Sequence, residues 1–66
     1  MLSNQQIKSI LTELKYDGRY YCYQASTPEI WHDLNDVAPY VIGFKHQLRS
    51  FSCAGLSQLG KDLLEK

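Results

Sequence analysis

Ile7, Ile10, Leu11 and Leu14 fall at i, i+3, i+4 and i+7, the apolar stripe of an amphipathic helix. The Ser3 hydroxyl can accept a hydrogen bond from an otherwise unpaired backbone N–H. Gln6, three residues on, can reach back and complete a capping box. Leu2 and Ile7 are placed as a hydrophobic staple across that cap. Gly18 offers a stop, because it takes a left-handed conformation without a Cβ clash. The spacing predicts a helix from Ser3 to Tyr16.

After the Asp17-Gly18 turn, Arg19-Tyr20-Tyr21-Cys22-Tyr23-Gln24 reads as a short strand, since aromatic side chains favour a pleated surface. Ser26-Thr27-Pro28-Glu29 then opens a second helix. It supplies a capping hydroxyl, a proline whose missing N–H is not needed in the first turn, and a carboxylate at the positive end of the dipole. Ile30, Trp31 and Leu34 form its apolar stripe, and Asn35-Asp36 ends it.

Residues 37–54 carry two periods at once. Val41, Phe44, Leu48 and Phe51 step by 3, 4 and 3, which predicts a helix over 39–50 and a short extended piece over 51–54. Against that, Tyr40, Ile42 and Phe44 alternate as a strand does, and Gly43 costs a helix interior roughly 1 kcal/mol relative to Ala. A hairpin turning near Lys45-His46-Gln47 lacks the usual Gly or Asn. Leu56, Leu59, Leu63 and Leu64 share one face of a closing helix, which Ser57 caps.

Composition narrows the function classes. A chain of 66 residues forms one modest core and leaves little room for a deep pocket, which favours surface recognition over catalysis. Seven basic residues balance seven acidic ones, whereas a nucleic-acid-binding domain is usually basic. Cys22 and Cys53 are too few for the disulfide framework of a small secreted domain. The first residues lack the basic and apolar regions of a signal peptide, and no apolar run is long enough to span a bilayer. The expected compartment is the cytoplasm, with both thiols reduced and no membrane contact.

Cys22, His32, His46 and Cys53 lack the C-x2-4-C or H-x3-5-H spacing of a zinc site. No nucleophile is paired with a base, and the carboxylates are scattered. The sequence therefore predicts no catalytic residue, no metal and no cofactor.

Two stretches carry a resemblance. Thr27-Pro28-Glu29-Ile30-Trp31-His32-Asp33-Leu34 is similar to the first helix of a helix-turn-helix, and Tyr40 to Phe51 looks like its recognition helix. Leu56-Ser57-Gln58-Leu59-Gly60-Lys61-Asp62-Leu63-Leu64 matches the L-[ST]-x-x-G-x-x-L-L pattern with which many winged-helix proteins leave the last wing strand. Together they resemble the winged-helix and helix-turn-helix DNA-binding regulators. Trp31 departs from the small residue usual there, and the span from Phe51 to Leu56 is short for a two-stranded wing.

The resemblance implies an α+β, helix-rich fold: a single winged-helix-like domain over residues 1–66, with three to four helices and one short strand. The alternative is a small α-β-α-β-β-α sandwich. The resemblance also implies a transcription regulator whose recognition helix enters the major groove. Arg49 would pair with guanine, Gln47 with adenine and Lys45 with phosphate, beside His46 and Ser50. A homodimer would gather enough phosphate contacts. The alternative function is a compact protein-binding inhibitor or adaptor, of the kind phages encode. It would meet its target through Tyr20, Tyr21 and Tyr23.

Overall fold

The computed structural model describes residues 1–65. The Ser3 signal is realised atom by atom. Ser3 Oγ accepts the Gln6 N–H at 3.1 Å and Gln6 Oε1 accepts the Ser3 N–H at 2.8 Å, opening helix α1, Asn4–Thr12. Ile7, Ile10 and Leu11 are buried on its inner face, with Leu2 beside them.

The helix stops short of Tyr16. Lys15–Tyr16 is strand β1, paired antiparallel with β2, Tyr21–Gln24. Asp17 Oδ1 accepts the N–H groups of Arg19 and Tyr20 at 2.8 and 2.7 Å, and Gly18 sits at φ +102°. Gly18 thus turns a hairpin instead of ending a helix.

Pro28 opens the short helix α2, Pro28–His32, with Thr27 at the cap position but making no side-chain cap bond. A 3-10 helix, Leu34–Tyr40, follows directly. Its buried residues Leu34 and Val37 are three apart, matching the three-residue repeat of that helix. Two acidic side chains tie the N-terminal segment to this region: Asp33 accepts from the Met1 amino group at 2.8 Å and Asp36 from the Leu2 N–H at 2.7 Å.

Residues 41–56 overturn the helix expected over 39–50. Strands β3 (Val41–Ile42) and β4 (Lys45–His46) run out, and β5 (Ser50–Cys53) and β6 (Gly55–Leu56) run back. β3 pairs with β6 and β4 with β5 in the same register, so the stretch is one long hairpin bent at Gly43. Gly43 has φ +70°, open to glycine and strained for other residues. The turn falls at Leu48–Arg49, closed by the Gln47 N–H on the Ser50 carbonyl at 2.8 Å. No non-glycine residue there has positive φ, so the missing Gly or Asn is no obstacle. Leu48, which a helix would bury, is 81% exposed at the tip.

The main sheet runs β1-β2-β5-β4, all antiparallel. Directly opposed residues share a face. One face carries Tyr16, Tyr21 and Cys53 in one row and Tyr23, Phe51 and His46 in the next. The other carries Lys15, Cys22, Ser52 and Lys45, none of them buried. Phe51 lies between the rings of Tyr23 and Phe44, centroids 5.8 and 5.2 Å away, at the centre of the core.

Helix α3, Gln58–Leu64, closes the fold. Ser57 Oγ accepts the Gly60 N–H at 3.3 Å and donates to the Pro39 carbonyl at 2.8 Å. The Ser57 N–H donates to the Tyr40 carbonyl at 3.1 Å. The Leu-Ser-x-x-Gly stretch is therefore a docking device that holds α3 against the end of the 3-10 helix. Among the described residues the fold is a small α+β arrangement of four helical segments and antiparallel strands. With β3 joined to β4, β5 to β6 and α2 to the 3-10 helix, its order is α-β-β-α-β-β-α, one strand more than the expected alternative and three more than a helix-rich domain with one strand.

Candidate functional site

The β1–β2 hairpin presents a cluster of tyrosines. Tyr16 and Tyr21, opposed across the ladder, meet with ring centroids 4.9 Å apart and planes tilted by 45°. The Tyr16 hydroxyl donates to the Gly18 carbonyl at 3.1 Å, which fixes its ring over the turn. Tyr16 is 62% exposed, Tyr20 46% and Tyr21 37%. Tyr23 departs from the expected set. It is half-buried on Phe51, and loss of solvent, with the Glu13 carboxylate nearby, pushes its hydroxyl pKa up. Tyr16 joins the cluster although the apolar stripe of α1 predicts it in the first helix. The available signal was Asp17-Gly18 flanked by aromatics on both sides, a hairpin pattern.

Beside these rings lies a hollow of about 300 Å³ lined by Leu11, Leu14, Tyr21, Gly55, Leu56 and Lys61. Leu11 comes from α1, Tyr21 from β2, Gly55 and Leu56 from β6 and Lys61 from α3, so the hollow exists only where these elements meet. A larger hollow, about 440 Å³, lies over the polar sheet face and involves Glu13, Lys15, Cys22, Gln24 and Gln47.

The five candidate DNA-contacting residues all fall on the long hairpin, but not on one face. Lys45 points to the polar sheet face and His46 to the opposite one, where its ring lies 5.9 Å from Phe44. Ser50 Oγ donates to Gln47 Oε1 at 3.4 Å. The Arg49 guanidinium lies 4.4 Å from the Trp31 ring centre, and its carbonyl accepts the Ala25 N–H at 2.8 Å. The Trp31 indole N–H donates to the Ala25 carbonyl at 3.1 Å. A helix that could carry these side chains into a major groove does not exist here.

The two cysteines are free and project from opposite sheet faces, so their Cβ vectors diverge and cannot bridge. Loss of solvent and the Asp17 carboxylate, 3.7 Å from its Sγ, push the Cys22 pKa up. Burial does the same to Cys53. Both thiols are thus held in the protonated form more firmly than a free cysteine. Among the described residues no three of His, Cys, Asp and Glu group closely enough to hold a metal ion, and no helix is long and apolar enough to cross a membrane.

The backbone N–H groups of Tyr20 and Arg19 hold the Asp17 pKa below its ordinary value. A depressed folded pKa gives stability that is present in full above the unfolded value and fades as the pH falls through the folded one. The β1–β2 turn is therefore expected to loosen only in acid. An amide NMR titration should show Arg19 and Tyr20 moving together, with a midpoint below that of an unstructured aspartate. In Asp17→Ala that shared transition should vanish.

No known protein family, no curated protein and no solved structure matches the chain.

Proposed function

We propose that this chain is a protein-binding module that meets its target through the β1–β2 tyrosines and the adjoining hollow. One observation carries the reading: three exposed tyrosines, two of them in tilted ring contact, beside an apolar recess. Tyrosine supplies large contact area at low conformational cost and is enriched among residues that dominate binding energy. The exposed rings and the apolar walls of the recess together offer a surface that a binding partner could cover. The reading assigns no catalysis to the chain.

A random-peptide display selection on the immobilised chain tests it. Selected peptides should bind saturably, and Tyr16→Ser combined with Tyr21→Ser should weaken them at least about tenfold, the loss of one hot-spot contact. Circular dichroism should show the double variant still folded. Undiminished binding to that folded variant would sink the reading.

A second reading places nucleic acid on the long hairpin. It rests on the absence of any carboxylate from Val37 to Lys61, with Lys45, Gln47, Arg49 and Ser50 around the turn. In a winged-helix arrangement that hairpin would be the wing, and the 3-10 helix would be the element offered to the groove in place of the helix expected over 39–50. This reading comes second because the 3-10 helix carries Asp36 and neither Lys nor Arg. Steeply salt-dependent duplex binding that Lys45→Gln with Arg49→Gln abolishes would reverse the order.

A further inference from the structure

We propose that the recess between α1, β2, β6 and α3 receives a large apolar side chain from an acidic partner segment, whose carboxylate meets Lys61. The inference rests on the protein-binding reading and adds the chemistry of the partner. A recess of about 300 Å³ suits one large side chain. Its walls are Leu11, Leu14, Leu56 and the Tyr21 ring, so the inserted group is apolar.

Charge sets the rest of the partner. None of the lining residues is acidic, and Lys61 is the cation among them. Lys61 is exposed and forms no salt bridge among the described residues, although Glu65 stands one helical turn away. Arg19 adds positive charge at the neighbouring turn. The carboxylate beside it, Asp17, is already engaged by two backbone N–H groups and the Cys22 thiol. A basic residue on the partner would meet repulsion at Lys61, while a carboxylate would find an ammonium with no salt-bridge partner among the described residues.

Insertion of Leu48 from a second copy of this chain fits poorly. Its most exposed apolar residue apart from Met1 is Leu48. Leu48 sits beside Arg49 at the hairpin tip, so its insertion would set like charges together.

The test uses two fragments of one shape and opposite charge, 4-phenylbutanoate and 4-phenylbutylammonium. Each is titrated into the full chain and followed by backbone amide NMR. The carboxylate is expected to bind with a Kd on the order of millimolar, as its size allows. Shifts should centre on Leu11, Leu14, Tyr21 and Leu56. It should exceed the ammonium by about fivefold, the upper range for an exposed ion pair. Lys61→Gln should erase that preference and Lys61→Glu should invert it.

Equal binding of both fragments overturns the acidic partner but leaves the protein-binding reading standing. So does a failure of either to shift the recess while displayed peptides still depend on Tyr16 and Tyr21. Failure of fragments and peptides together removes both. If these amides shift with protein concentration alone, the occupant is a second copy and the proposal falls.

Discussion

Replacing Phe51 with alanine is expected to cost about 3–5 kcal/mol and to abolish a cooperative unfolding transition at room temperature. Phe51 is 1% exposed and stands on the strand that pairs with both β2 and β4. Its ring meets Tyr23 on one side and Phe44 on the other. Truncation removes the ring's burial and both aromatic contacts, and it leaves a cavity that a sheet held on both edges cannot close. A domain of this size has only about 3–5 kcal/mol in total from its core, so the loss is comparable to the whole. Urea unfolding followed by near-ultraviolet dichroism should show no native baseline for Phe51→Ala. Phe51→Leu, which loses roughly 1–2 kcal/mol of buried area, should keep a cooperative transition at lower urea. A native baseline for the alanine variant would show that the core is not organised around this ring.

The second large effect is expected at Gly60, where the sign is diagnostic. In an exposed helix interior, Gly→Ala stabilises by up to about 1 kcal/mol, because alanine loses less backbone entropy. Gly60 is buried, and a methyl group added there would overlap the carbonyl oxygen of Tyr40. That oxygen already accepts the Ser57 N–H, so neither backbone segment can yield without breaking the α3 dock. Gly60→Ala should therefore destabilise by about 2 kcal/mol, within the range for overpacking a rigid site. Gly55, whose added Cβ would meet nothing within 4 Å, is the control. Gly55→Ala should change stability by less than about 0.5 kcal/mol. Chemical denaturation of both variants decides the matter; a stabilised Gly60→Ala would mean that α3 does not approach the 3-10 helix so closely.

The tyrosine site was half legible in the chain. Tyr20 and Tyr21 stood out as aromatics in a strand, and both are exposed. Tyr23 sits among them in sequence, but its position opposite Phe51 draws it onto the core. Tyr16 was hidden because the apolar stripe of α1 runs on to Leu14, and nothing in that stripe says where the helix stops. The recess beside them had no sequence signal. Its walls come from four elements, and Leu11 and Leu56 are neighbours only after folding.

The sequence by itself determined the features that rest on local hydrogen bonding and short spacing. These are the Ser3 capping box, the inner face of α1, the start of α2 at Pro28 and the Ser57 cap of α3. Each is decided within about one helical turn, where the competing conformations are few. Only the tertiary structure decided residues 41–56. There helix and strand periods fit the same apolar positions, and local preference between them is small. The strand wins because β5 finds β2, pairing Tyr21 with Cys53 and Tyr23 with Phe51, and because Trp31 and Ala25 hold the turn at Arg49. Those contacts span long stretches of chain, so no window of the sequence contains both partners. Burial of Phe51 against Tyr23 and Phe44 stabilises the hairpin by more than the periodicity of either reading could.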